Sequence, residues 1–276
     1  MVNAAFVELL KSSQRLESVP TPEVGSKPLI IPESAILSAL EKLNPRKAAG
    51  PDEIPNWLLK EYPDIIAYPV SMINNCSFAE NRLPLTWKMA DVVPIPKVKP
   101  VENVSKHLRS IFLTAALSKV AEDFVVGLYV GPAVMEVIDP DQYGGISKPS
   151  TLHALTSMVH NWSKGADGNG AAVRVVLFDY RKAFDFVDHT LLERKVFGLS
   201  IPRCVVCWVS DFLIDRQQCV KLSKDCFSEW RPVHAGIPQG TKLGPWLFIL
   251  MINDLRVSGF HSWKYVDDTT VAEIVA

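Results

Sequence analysis

A chain of 276 residues, 48% hydrophobic and 21% charged, carries enough apolar side chains for one large domain or two ordinary ones. This composition excludes a disordered or collagen-like polypeptide. A net charge of -1 lacks the basic excess of a dedicated nucleic-acid binder. Phosphate contact depends on where cations sit rather than on their sum, so the balance excludes nothing more. The five cysteines are an odd number, and no charged segment followed by an apolar one opens the chain. The expectation is a reduced, intracellular protein with no secretory signal and no disulfides. The longest apolar run, Phe124 to Met135, is too short to span a bilayer and holds Gly127, Gly131 and Pro132.

Residues 1–31 read as a lead-in, with prolines clustered between Pro20 and Pro28. Glu33 to Leu43 places Ile36, Leu40 and Leu43 on one helical face, stopped by Asn44-Pro45. A basic loop, Arg46 to Asp52, precedes a second helix over Asp64 to Glu80, where Pro69 requires a bend or a position near the start. Met89 to Ile95 reads as a strand, and Pro94 and Pro96 suggest a sheet edge. The cations Lys97, Lys99, Lys106 and Arg109 follow it, and a long apolar helix is expected over Ala115 to Ile138, broken near Gly131. Gly165 to Gly170 reads as a loop between subdomains.

Beyond that loop, Ala171 to Phe178 is an almost continuous apolar run ending on Asp179, as expected of a strand buried on both faces. Helices are expected from His189 to Phe197, closed by Gly198, and from Pro202 to Asp215. Gln217 to Leu222 and Trp230 to His234 read as paired strands, Gly236 to Gly240 as a turn and Leu243 to Leu255 as a buried helix. Two β-rich runs, His261 to Val266 and Thr269 to Val275, flank Asp267-Asp268. The pattern is an α+β domain with acids at its strand ends.

Asp179, Asp267 and Asp268 concentrate negative charge at adjacent strand ends, which is costly unless cations neutralise it. Hard oxygen ligands that must also meet phosphate oxygens suit magnesium. Two such ions roughly 3.5–4 Å apart can stabilise both the attacking and leaving oxygens of a phosphoryl displacement. Taken singly, an Asp at a strand end is a common turn residue, and Asp-Asp between β-branched runs is a common hairpin tip. The signal lies in the combination.

Phe178-Asp179-Tyr180-Arg181-Lys182-Ala183-Phe184-Asp185 resembles motif A of reverse transcriptases. Gly236 to Pro245 is similar to their motif B, and Tyr265-Val266-Asp267-Asp268 to their motif C, in the family's order. Ala48 to Asp52, Val92 to Lys97, Leu117 to Val120 and Gln142-Tyr143-Gly144 resemble the fingers of jockey-like, non-LTR retrotransposon enzymes. The resemblance covers residue 33 to the end.

It implies the fingers and palm of a right-hand polymerase fold: residues 32–165 fingers and their connection, residues 166–276 palm. It implies RNA-directed DNA polymerisation with an RNA template, a DNA primer, dNTPs and two Mg2+ ions, with Mn2+ as a substitute. Asp179, Asp267 and Asp268, with the Tyr180 carbonyl, would hold metal. Phe184 would gate the sugar, and Gln239 and Gly240 would line the pocket beside template and incoming base. Lys97 and Arg109 would meet the triphosphate, although Lys97 reads equally as solvated surface; Asp185 would be a local hydrogen-bond acceptor.

The sequence departs from the pattern at Ser110-Ile111-Phe112 and at Glu53, and it ends shortly after Asp268. The expectation is therefore a fragment lacking the thumb. A group II intron-type enzyme and an inactive remnant that at most binds RNA remain alternatives. Cys204, Cys207, Cys219 and Cys226 read as core cysteines rather than a zinc site. Trp57 and Trp87 are expected to be buried.

Overall fold

The computed structural model describes residue 3 and residues 27–146, 150–167, 171–180 and 182–275, without side chains at 105 and 106. Most of the lead-in, Arg181 and residues 168–170 lie outside the described residues. Helices α1 (Glu33–Glu41), α2 (Asn56–Glu61) and α3 (Pro63–Glu80) open the fold. Ile36 and Leu40 on α1 are completely buried. Pro69 sits inside α3, whose C-terminus closes on Asn81 in the left-handed conformation.

Strand β1 (Met89–Pro96) is not at a sheet edge. It lies between β2 (Leu108–Thr114) and β4 (Arg216–Ser223) in a five-stranded sheet that β5 (Cys226–Phe227) and β6 (Arg231–Val233) complete. Its partner β4 runs beside it only over Met89 to Val92, whereas β2 pairs along Ala90 to Pro96. Pro94 and Pro96 therefore fall where one side of the strand has no partner, and the missing N–H groups interrupt no ladder there.

A short helix α4 (Val104–His107) precedes β2, and the long apolar helix follows it as three consecutive pieces. α5 (Ala116–Val125) passes into a π-helical stretch, Val126–Val130, and then into α6 (Gly131–Val137). Pro132 lacks the N–H an α-helical register would need, and a locally widened turn accommodates that loss. The core gathers Ile36, Leu40, Trp208, Phe212 and Leu247 from α1, α9 (Arg203–Leu213) and α10 (Leu243–Ile252). Cys204 and Cys207 are buried on α9 and Cys219 on β4, but Cys226 is exposed on β5 and does not belong to the core. Trp87 is buried, but Trp57 is 55% exposed and does not belong to the core. A buried ion pair, Lys88 Nζ to Asp211 Oδ2 at 2.8 Å, ties the turn before β1 to α9.

The second sheet has the order β3-β8-β7, from β3 (Ala172–Asp179), β7 (His261–Tyr265) and β8 (Asp268–Val275). Helix α7 (Thr151–Ala166) packs across all three strands. Trp263 donates to Ser157 Oγ at 2.9 Å, and its ring meets Trp162 edge-on. Gly165 belongs to the last turn of this helix rather than to a loop, and its lack of a side chain lets Ile274 pack close, since a Cβ there would lie 2.4 Å from Ile274 Cδ1. Burial of β3 on both faces does not occur. Among the described residues β3 pairs only with β8, and Val176, Leu177 and Phe178 are exposed. No helix of the described residues is long and apolar enough to cross a membrane.

Candidate active site

The β3-β8-β7 sheet determines where the acids stand. Asp179 ends β3 directly opposite Asp268, which opens β8. Asp268 also pairs with Tyr265 on β7, so the turn of the hairpin is Val266-Asp267 and not Asp267-Asp268. Asp267 is thus at the tip, and Asp268 is anchored in the ladder. Val266 has φ 57°, an uncommon conformation for a β-branched residue that costs on the order of 1–3 kcal/mol. Asp268 is exposed, yet partial desolvation, then the neighbouring Asp267 and Asp179, push its carboxyl above the usual carboxylate range. Three like charges are therefore close enough to repel.

A cleft of about 800 Å³ opens beside them. Asp179, Asp267, Tyr180, Phe184, Gln239, Lys97 and Arg109, which arise from widely separated parts of the sequence, all line it. Lys97 and Arg109 arrive on the β1–β2 hairpin, where Ile95 pairs with Arg109 and the Lys97 N–H donates to the His107 carbonyl at 2.8 Å. The departure at Ser110-Ile111-Phe112 has not removed Arg109 from the cleft; Ser110 and Ile111 line it too. Asp185 is half-buried at the cleft, and desolvation raises its carboxyl despite the opposing pull of Lys182 and Lys97.

Phe184 is held from behind. Its ring stacks on Phe248 of α10, with centroids 4.4 Å apart. Its carbonyl accepts the Ile237 N–H at 2.7 Å, and the Gly236 N–H donates to Val187 at 2.9 Å. Gly236 has φ 83°, and a Cβ there would lie 2.6 Å from the Asp185 carbonyl oxygen. Glycine is required on both counts. Gly240, at φ 95°, brings the same turn to within close reach of the Phe112 carbonyl.

Two further supports went unrecognised in the sequence. His189, at the start of α8 (His189–Phe197), is buried, and its Nε2–H donates to the Gly236 carbonyl at 2.7 Å. Burial pushes the His189 pKa down and keeps the ring neutral. Glu122 of α5 is fully buried and accepts the N–H groups of Lys242 at 2.6 Å and Leu243 at 3.2 Å, capping α10 beneath the motif B turn. A His at the first position of a helix, or a Glu inside an apolar helix, carries no local sign of either role.

The chain matches the reverse transcriptase (RNA-dependent DNA polymerase) family over residues 95–273, more than half its length. It belongs to the reverse transcriptase family. Within this family the chain is 29% identical, over 91% of its length, to a probable RNA-directed DNA polymerase from transposon BS of Drosophila melanogaster. It is 28% identical, over 80% of its length, to the RNA-directed DNA polymerase of the mobile element jockey from the same fly. A type-1 retrotransposable element R2 polyprotein of Popillia japonica matches 64% of the chain at 24% identity. The reverse transcriptase domain is thus of the jockey-like, non-LTR kind. The chain spans 28% of the length of the BS relative and 24% of the jockey and R2 relatives.

Reverse transcriptase domains use divalent metal ions. Asp179, Asp267 and Asp268 fit such an ion in donor type and in adjacency, although among the described residues no three metal-ligating side chains close into a cage.

Proposed function

We propose that this chain is the fingers and palm of an RNA-directed DNA polymerase, joining a dNTP to a primer 3′-hydroxyl on an RNA template. The observation that carries the reading is the convergence of two motif carboxylates, Asp179 and Asp267, with Lys97, Arg109, Phe184 and Gln239 around one cleft. Its dimensions suit a nucleotide and the end of a primer.

Each residue has a physical task. Two magnesium ions, held by Asp179, Asp267, Asp268 and the Tyr180 carbonyl, would supply charge neutralisation to the transferring phosphoryl group. Lys97 and Arg109 on the finger hairpin bind the triphosphate and hold its charge away from the acids. Phe184, fixed by Phe248, presents a ring edge below the sugar and excludes a 2′-hydroxyl sterically. Gln239 and Gly240 position the template and incoming base, the glycine by close backbone approach. Most of the rate enhancement comes from alignment and electrostatics, as befits phosphoryl transfer.

The test is single-nucleotide primer extension on an RNA template with magnesium, using the full chain and an Asp267→Asn control. Short, non-processive addition is expected, lost in the control. No addition by the parent chain, or equal addition by Asp267→Asn, would refute the reading.

A further inference from the structure

Lys264, the residue immediately before the Tyr265 to Asp268 hairpin, is completely buried. Its ammonium meets Asp139 Oδ2 at 2.6 Å, the Asn253 carbonyl at 3.0 Å and the Ile252 carbonyl at 3.4 Å. Asp139, also buried, lies in the connection between α6 and α7. It further accepts the Asp141 N–H at 3.1 Å and Arg256 through both carboxylate oxygens. Burial alone would raise its pKa, but hydrogen bonds from Lys264, the Asp141 N–H and Arg256 hold the carboxyl below its usual range. The pair is therefore a charged, fully partnered ion pair.

The backbone around it does something more specific. The Lys264 N–H donates to Asp141, and the Tyr143 N–H donates to Lys264, each at 2.8 Å, so the connection runs beside β7 as a short parallel bridge at Gln142. Gly144 then presses against the turn itself: a Cβ there would lie 2.8 Å from Val266 N and 2.9 Å from Tyr265. One side of β7 is set by β8, and the other by this connection. The end of α10 is tied in too, because Asn253 Oδ1 accepts the Asp139 N–H at 2.7 Å.

We propose that Asp139 and Lys264 are positioning residues: their buried ion pair locks residues 139–144 against the hairpin as a cradle that sets the place and strained turn of Val266-Asp267. Neither side chain reaches the cleft; each acts through the backbone it holds. Bulk stability is a separate matter, because replacing a buried ion pair by apolar side chains of similar volume is often neutral, whereas removing one partner is not. The cradle is what the apolar pair would fail to reproduce, since it would lose the side-chain link that runs from Asp139 through the Lys264 ammonium to the Ile252 and Asn253 carbonyls and would leave only the backbone contacts.

The inference rests on the metal-binding reading of Asp267, and the experiment separates the two. Mn2+ binding to the full chain is measured by electron paramagnetic resonance, and amide exchange is followed at residues 265–268. The Asp139→Leu/Lys264→Met double variant should unfold at close to the parent temperature. It should nevertheless bind Mn2+ at least tenfold more weakly and exchange those amides at least tenfold faster. Parental affinity and protection in a folded double variant would overturn the proposal. Should that variant fail to fold, Gly144→Ala, which pushes on the turn without touching the ion pair, is expected to give the same losses, and parental values there would overturn it equally. If the parent chain binds no more Mn2+ than Asp267→Asn, the metal reading fails, and the exchange rates alone decide the cradle.

Discussion

Gly236→Ala is expected to destabilise the chain through two separable effects. The first is conformational: at φ 83°, an L-residue is disfavoured by about 1–2 kcal/mol. The second is steric, because the added Cβ would lie 2.6 Å from the Asp185 carbonyl oxygen and 2.9 Å from that of Phe184. The motif A and motif B turns must then part, loosening the Ile237-to-Phe184 and Gly236-to-Val187 hydrogen bonds. Each such bond contributes about 0.5–1.5 kcal/mol net. The expected loss is about 2–4 kcal/mol, read from urea denaturation as a lower midpoint at unchanged slope. Gly259→Ala is the internal control. Its φ is 84°, yet nothing lies within 4 Å of a Cβ there, so it should lose only about 1–2 kcal/mol. Equal losses in the two variants would refute the close-approach argument.

Two more outcomes follow from the same site. Phe184→Ala removes a half-buried ring stacked on Phe248 and should cost about 2 kcal/mol. In competitive primer extension it should also weaken discrimination against ribonucleotides at least tenfold; unchanged discrimination would remove Phe184 from the gate. His189 has a folded pKa depressed by burial, so on acidification the unfolded chain takes up the proton first, from about pH 6.5 downward. Its contribution is complete above that pH and is lost as pH falls toward the folded pKa. The acid limb of the unfolding-temperature profile should therefore be shallower in His189→Gln, and an unaltered slope would show that another group governs it.

The parts legible in the sequence were those written in local pattern. The helices after His189 and Pro202 and the β4–β6 pairing follow from periodicity and from turn residues, and the motif order places the acids at strand ends. What escaped depended on partners far along the chain. Pro94 and Pro96 signal a missing partner correctly, but local sequence cannot say that β4 covers the first half of the same strand. The apolar run of β3 reads as doubly buried because hydrophobicity records what a strand could bury, not how many neighbours it has. Helix α7 carries Leu152, Leu155 and Val159 at the spacing of one helical face, yet all three are exposed, so that pattern does not reveal which residues meet the sheet.

The hairpin of β7 and β8 shows the same limit most sharply. In His261 to Tyr265, strict alternation would place Ser262 and Lys264 on one face and Trp263 on the other, and the lysine would be assigned to water. Instead Ser262, Trp263 and Lys264 are all buried, because α7 covers one face of β7 while the 139–144 connection runs against Lys264. Motif residues announce themselves because their chemistry is carried by their own side chains. A residue that works by holding someone else's backbone has no such signature, and it becomes visible only when a carboxylate more than a hundred residues away is seen to complete it.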